Sequence, residues 1–351
     1  MRTVDRLTVS LTRRQDVETR EMESAPRKFT APTVSVAPMM DWTDRHCRYF
    51  MRQISGGVQL YTEMVTAAAL IHGDAGKLLR YDTSEHPVVL QVGGSDPAMM
   101  AQAARMGSDA GYDEININAG CPSERVQSGA FGACLMAEPD LVAECVDRMR
   151  DASAVPVTVK TRIGIDDQDS VEFLYAFVDA IRSAGCETLI VHARKAYLKG
   201  LSPKENRTVP PLDYPRVYAL KQDYPDLTVV LNGGVTTRAE CDAHLRHVDG
   251  VMIGRQAYQQ PWLLTELADL VGDESDTRKT RQAVVAAMLP YVERELANGT
   301  LLKHITRHML GLFAGQPGAR AWRRFLSENA HRHGAGSNVL IHALEQLPVA
   351  A

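Results

Sequence analysis

The chain has no CxxC pair and no zinc-ligand spacing among its six cysteines, Cys47, Cys121, Cys134, Cys145, Cys186 and Cys241. A chain of 351 residues can bury a core without staples, so these thiols are read as reduced and cytoplasmic, and most of them as small core residues. No apolar run approaches the ~18 residues that a membrane span requires, and no membrane contact is expected. Tandem repeats, low-complexity segments and a separate dinucleotide fingerprint are also missing, and no metal site is expected. The first 30 residues lack the apolar stretch of a signal peptide, while Asp5, Asp16, Glu18, Glu21 and Glu23 argue against a transit peptide. Residues 1–32 are therefore read as a flexible leader or a mis-called start.

What is present is the composition of an ordinary soluble globular protein, 45% hydrophobic and 23% charged. Its length suits a large barrel of about 250 residues with a smaller appendage. Eight short β-rich apolar runs, each followed by a helical pattern, occur before residue 260: Val34–Met40, Val58–Val65, Pro87–Gly94, Asp113–Gly120, Val155–Gly164, Thr188–Lys195, Leu227–Val235 and Gly250–Gln256. With no antiparallel hairpin signal between them, they predict an α/β fold, a closed (β/α)8 TIM barrel over 33–272, ahead of an open doubly wound sheet. Helices are expected over Pro97–Met106, opened by Asp96, and from Glu138 through Arg150. The long excursions Cys121–Ala137 and Ala196–Tyr214 would open onto the catalytic face.

Beyond a polar, linker-like Gly272–Thr277, the rest reads as about four helices, with turns at Leu296–Thr300, Gly315–Gly318 and Gly334–Ser337. A small C-terminal helical-bundle domain over 273–351 is the expectation. From Asp276 onward there are ten Lys or Arg against five Asp or Glu, whereas the preceding residues hold 29 against 38. A basic tail behind an acidic body points to a polyanionic partner, although solvated helix faces would give the same count.

Unusual polar residues recur at the C-terminal ends of the expected strands. Pro38, Met39 and Met40 end the first, Gln91 the third, Asn116 and Asn118 the fourth, Lys160 and Arg162 the fifth, His192 the sixth, Asn232 the seventh and Arg255 the eighth. Burying one polar group unpaired costs a few kcal/mol, about 1–3 by mutational data, so recurrence at one end implies a shared site. Asn232-Gly233-Gly234 and Gly254-Arg255 offer backbone N–H groups and a guanidinium where barrels commonly hold a phosphate. Lys160 reads as a cation beside an electron-rich cofactor, as a Schiff-base amine, or as a lysine snorkelling from a strand end; the phosphate site favours the first. Cys121 lies just beyond the fourth strand with no histidine nearby to form a protease-like pair. An ordinary thiol is mostly protonated at neutral pH, which suits a general acid.

Taken together, these segments closely resemble the tRNA-dihydrouridine synthases, from about Ser35 to Ala330. The carrying stretches are APMMDWTDRHCRYF at Ala37–Phe50, LYTEM at Leu60–Met64, INAGCPSERVQSGAFGACLM at Ile117–Met136, VKTRIGID at Val159–Asp166 and VHARKAYLKGLSPKENR at Val191–Arg207. LNGGV, GRQAYQQPW and GQPGARAWRRFLSE follow in order, and the details look like the A-type bacterial branch, which acts on uridines 20 and 20a of the D-loop. The resemblance implies FMN held by Pro38, Met39, Met40, Gln91, Lys160, His192, Asn232, Gly233, Gly234, Gly254 and Arg255. It implies Cys121 as catalytic acid, and Asn118, Arg207, Arg320 and Arg323 as contacts to tRNA.

The implied chemistry is hydride addition from reduced FMN to C6 of uracil, a proton from Cys121 to C5, and NADPH, or NADH, as reductant. Lys160 and His192 would offset the negative charge of the reduced flavin. A D-loop uridine must be extruded to reach the flavin, at a cost of a few kcal/mol supplied by phosphate contacts. The loop Arg194–Arg207, with five basic residues against Glu205 alone, and Arg320, Arg323 and Arg324 are candidates for those contacts. No protein partner is implied. A barrel flavoenzyme for a free pyrimidine or enone, a non-catalytic RNA-binding barrel and a Schiff-base aldolase are the alternatives.

Overall fold

A computed structural model describes residues 33–272 and 279–348. The leader and most of the expected linker, 273–277, lie outside the described residues. The strands are β1 (Thr33–Val36), β2 (Gln59–Tyr61), β3 (Val65–Thr66), β4 (Val88–Gly93), β5 (Glu114–Ala119), β6 (Val157–Arg162), β7 (Thr188–His192), β8 (Thr228–Asn232) and β9 (Gly250–Ile253). Their pairings are parallel throughout. β1 pairs with β2, Ser35 opposite Gln59, and also with β9, Val34 opposite Val251. A sheet whose first strand pairs with both its second and its last is closed, so the open doubly wound alternative is excluded.

Nine strands make eight staves, because β2 and β3 run in succession along β4, with Leu60 opposite Val88 and Val65 opposite Val92. The expected strand Val58–Val65 is thus interrupted at 62–64. The Thr62 hydroxyl there accepts the Gln91 N–H at 3.0 Å and donates to the Glu63 carbonyl at 2.7 Å.

Strand alternation sorts the side chains into two environments. Val88, Leu90 and Val92 of β4, and Ile115 and Ile117 of β5, face the helices and are fully buried or nearly so. Each such side chain contributes about 1.5–3 kcal/mol. The helix Pro97–Asp109 lies against them, started by Asp96, whose carboxylate accepts the Met99 N–H at 2.9 Å. Gly107 sets the closeness of that contact, since a Cβ there would meet Leu90 and Ile115 at 2.6 Å. Gly107→Ala would require the Leu90 and Ile115 side-chain ends to shift. The helix Pro139–Ala152 matches the second expected helix.

The C-terminal helices are Arg281–Ala297, Leu302–Thr306, Ala319–Asn329 and Asn338–Glu345. The turns between them use Gly299, Gly315, Gly318 and Gly334, all with positive φ. Trp322 is fully buried among them, and its Nε1 donates to the Met309 carbonyl at 3.0 Å. These helices dock on the helix Arg45–Ile54: Tyr49 stacks on Tyr291 with centroids 3.8 Å apart, and Arg45 pairs with the buried Glu295 at 2.5 Å. The described residues from Thr33 onward form one compact unit. None of their helices is long and apolar enough to cross a membrane.

Candidate active site

The inward-facing positions at the C-terminal ends of the strands converge on the barrel mouth. Gln91, Asn116, Asn118, Lys160, Arg162, His192 and Asn232 all share the interior face set by the two-residue period of β4 to β8. Gln91 and Asn116 are buried and hydrogen-bonded to each other at 2.8 Å. Asn232 donates from Nδ2 to the Met252 carbonyl at 2.7 Å. After β1, Ala37 continues the ladder by donating to the Ile253 carbonyl, and Pro38, buried Met39 and exposed Met40 follow on the rim.

The mouth is electropositive. Burial, then the neighbouring Arg162 guanidinium, draws the Lys160 ammonium down to about 7. Burial, then Arg162 and Lys160, hold His192 well below its ordinary value, and its Nδ1 is buried without a partner. Arg162 itself is drawn to about 10 by burial, although its guanidinium donates to the Gly120, Lys195 and Asn206 carbonyls. Arg194 and Arg207 are lowered by burial and then, for Arg207, by Arg255. Among the described residues no Asp or Glu forms an ion pair with any of these six groups, and Arg194 Nε is a second orphaned donor. Arg162 is buried and Lys160, Arg194 and Arg255 are half-buried beside a neutral His192, so this set of donors without an acidic partner fits an anionic ligand such as a flavin with its phosphate.

The turns expected to cradle a phosphate follow β8 and β9. Gly233 and Gly234 have φ of 109° and 79°, and a Cβ on Gly234 would meet Tyr214 Oη at 2.5 Å and Leu212 at 2.6 Å. Gly254 precedes the short helix Arg255–Gln259, whose first turn has no side-chain cap.

Cys121 sits two residues past the end of β5 and is half-buried, whereas Cys47, Cys145, Cys186 and Cys241 are buried. Its N–H donates to Asn118 Oδ1 at 3.0 Å and its carbonyl accepts the Ala133 N–H at 2.9 Å. Gln127 Nε2 donates to the Pro122 and Leu198 carbonyls at 2.8 Å each, tying the two long excursions together beside the thiol.

The residues expected to meet tRNA fall in three places. Asn118 lies inside the mouth with Nδ2 on Gln91 Oε1 and Oδ1 on the Gly120 and Cys121 N–H groups, which leaves one N–H for a base. Arg207 lies at the rim, its carbonyl accepting from Arg255 at 3.3 Å. Arg320, Arg323 and Arg324 are carried on the helix Ala319–Asn329, and Arg323 lines a cavity of about 410 Å³ with Tyr258, Gln259 and Arg307. In the basic loop, Lys195 is paired with Asp169 at 2.9 Å, and Arg194 turns inward to the Pro210 carbonyl. Neither is a free surface cation. Arg162, expected among the strand-end polar groups, does face the mouth, and Arg194, expected as a phosphate contact of the basic loop, is turned inward just past the end of β7.

The model of the family described as Dihydrouridine synthase (Dus) matches residues 35–347. A tRNA-dihydrouridine(20/20a) synthase of Escherichia coli (strain K12) is 62% identical over 89% of this chain and 90% of its own length. Its namesake in Vibrio cholerae serotype O1 is 59% identical over 90% of this chain and 96% of its own. Among solved structures, a 2-naphthoyl-CoA reductase complexed with 2-naphthoyl-CoA superposes with a TM-score of 0.53 at 10% identity, over 67% of this chain and 50% of that one, a likeness of fold alone.

Proposed function

The chain belongs to the dihydrouridine synthase family, and from that membership we propose that it reduces uridine to 5,6-dihydrouridine at positions 20 and 20a of the tRNA D-loop, in the cytoplasm. The observation that carries this reading is a half-buried thiol, Cys121, set at a barrel mouth lined by cations without counter-ions. FMN, when bound, supplies the hydride that adds at C6, with NADPH, or NADH, as the external reductant.

The chain's own residues do the rest. Gly233, Gly234, Gly254 and Arg255 receive the phosphate, while Pro38, Met39, Met40, Gln91 and Asn232 shape the walls. Lys160 and His192 face the negative charge of the reduced cofactor. Hydride addition at C6 would leave an enolate spread over C5, C4 and O4, and Cys121 holds the proton that restores the carbonyl by going to C5. Asn118 and Arg207 meet the extruded nucleotide, and residues 273–351 form a tRNA-binding domain through Arg320 and Arg323.

The test is the absorption spectrum of the purified protein followed by NADPH-dependent dihydrouridine formation in unmodified tRNA, mapped to the nucleotide. A yellow protein with product at 20 or 20a is expected. Turnover of free uridine at a similar rate would move the assignment to a small-molecule reductase.

A further inference from the structure

A continuous hydrogen-bonded string runs up the inside of the barrel from its opposite end. Glu114, at the start of β5, is half-buried, and its Oε1 accepts from the Thr158 hydroxyl at 2.5 Å and from Tyr61 Oη at 3.2 Å, while Oε2 accepts from Gln59 at 3.1 Å. Thr158 Oγ1 accepts from Asn116 Nδ2 at 2.9 Å, Asn116 Oδ1 from Gln91 Nε2 at 2.8 Å, and Gln91 Oε1 from Asn118 Nδ2 at 2.8 Å. Asn118 Oδ1 then accepts the N–H groups of Gly120 at 3.1 Å and Cys121 at 3.0 Å.

The two ends of this string decide its direction. A carboxylate only accepts and a backbone N–H only donates, so each hydroxyl and amide between them has one orientation that satisfies both neighbours. Turning any one amide over puts two donors or two acceptors face to face in a buried site, and such polar networks are costly when partly satisfied. The interior of the barrel beside the string is filled instead by Val89, Ile190, Val230 and Met252, which form an apolar cluster.

We propose that Glu114 and Thr158 are positioning residues for the reaction, acting through the Asn116, Gln91 and Asn118 amides to fix the turn that carries Cys121. The role rests on the function proposed above, in which Cys121 delivers a proton and Gln91 and Asn118 face the cofactor and the base. The string explains why an acid lies beneath a site whose upper end holds cations. It also explains why two asparagines and a glutamine occupy inward positions that apolar residues would otherwise fill.

The test reads the thiol itself. The rate of Cys121 alkylation by iodoacetamide, followed by peptide mass spectrometry on the FMN-loaded protein, is compared for wild type, Thr158→Val, Thr158→Ser and Ile190→Val. Thr158→Val removes the link at nearly constant shape, Thr158→Ser keeps it, and Ile190→Val loosens the apolar interior beside the string without touching it. Thr158→Val is expected to change the rate by about fivefold or more, the scale of one net hydrogen bond, with the other two within about twofold of wild type. A Thr158→Val rate within twofold of wild type, or an equal change in Ile190→Val, overturns the proposal. Glu114→Met makes the break from the other end should Thr158→Val fail to fold. Because alkylation needs no substrate, failure to reduce tRNA would count against the proposed function and leave this result standing.

Discussion

Replacing Lys160 by methionine should stabilise the apoprotein while weakening its hold on FMN, and the stability gain should depend on pH in a defined way. The folded chain draws this ammonium from 10.5 to about 7, chiefly by burial and next by Arg162. A depression of that size corresponds to about 5 kcal/mol of cost when the group is charged. The sign follows from proton counting: between about pH 7 and 10.5 the unfolded chain keeps the proton and the folded one has released it, so wild-type stability rises with pH. This contribution is fully present above the unfolded value and is lost as pH falls through about 7. Lys160→Met has no such term. The advantage of the variant is therefore expected to be greatest at pH 6 and to shrink by about 1.4 kcal/mol per pH unit above 7, or ~2.7 kcal/mol between pH 7 and 9. Urea melts of the two apoproteins at pH 6, 7, 8 and 9 measure the difference directly, and FMN fluorescence titrations give the affinity. A stability difference that stays constant from pH 6 to 9 would refute the argument that the mouth holds an uncompensated ammonium.

Cys121→Ala should keep its yellow colour and NADPH oxidation by the flavin, yet lose roughly a hundred- to ten-thousand-fold in dihydrouridine formation, the usual contribution of a general acid; full activity would remove the thiol from the mechanism. The pair Arg320→Glu and Arg323→Glu should weaken tRNA binding and lower its salt dependence by about 0.7–0.9 in log–log slope for each phosphate no longer neutralised, with FMN retained, and filter binding between 50 and 200 mM salt (roughly the range over which such slopes are read) decides it. Gly234→Ala should impair FMN binding, because the new Cβ would lie 2.5 Å from Tyr214 Oη at a φ of 79°; equilibrium dialysis showing wild-type affinity would contradict that. Asp44→Ala should destabilise the protein by about 2–4 kcal/mol, the sum of a lost helix cap and a buried imidazole left without its acceptor, as read by thermal unfolding. A change in melting temperature no larger than that of an exposed control would count against Asp44 as the tie between the barrel and the C-terminal helices.

The barrel was readable because its evidence is periodic. All eight expected runs became staves, since alternating apolar residues have to face helices on one side and a packed interior on the other. The break in the second run was not readable: Thr62 leaves the strand to satisfy the Gln91 N–H, a partner 29 positions away. The inward set Gln91, Lys160, His192 and Asn232 was legible from strand ends alone, and its convergence follows from closure of the barrel. The fate of the basic loop was not, because Lys195 finds Asp169 in the loop after β6 and Arg194 finds the Pro210 carbonyl farther along its own loop, partners fixed only by the folded loops. The string beneath Cys121 was equally hidden. Glu114 stands at the start of its strand, and only register places it under Thr158, Asn116 and Gln91.

One short turn joins the two halves of the proposed activity. Met39, on the expected flavin rim, donates its N–H to Thr43 Oγ1 at 3.0 Å, and Asp41, at a φ of 64°, donates to Glu63 Oε1 at 2.5 Å. Just beyond them the Asp44 carboxylate caps the helix Arg45–Ile54 through the His46 and Cys47 N–H groups and also binds Arg307 at 2.6 Å and the buried His308 at 3.0 Å. Burial would raise the pKa of Asp44, but His308, the backbone donors and Arg307 hold it well below the ordinary carboxylate range. Arg307 lines the same cavity as Arg323, so a residue expected to meet tRNA and a residue expected to meet flavin are separated by a turn with little freedom. If the C-terminal helices hold tRNA phosphates as proposed, the Asp44 contacts with Arg307 and His308 would help to set where a nucleotide lies over the barrel mouth.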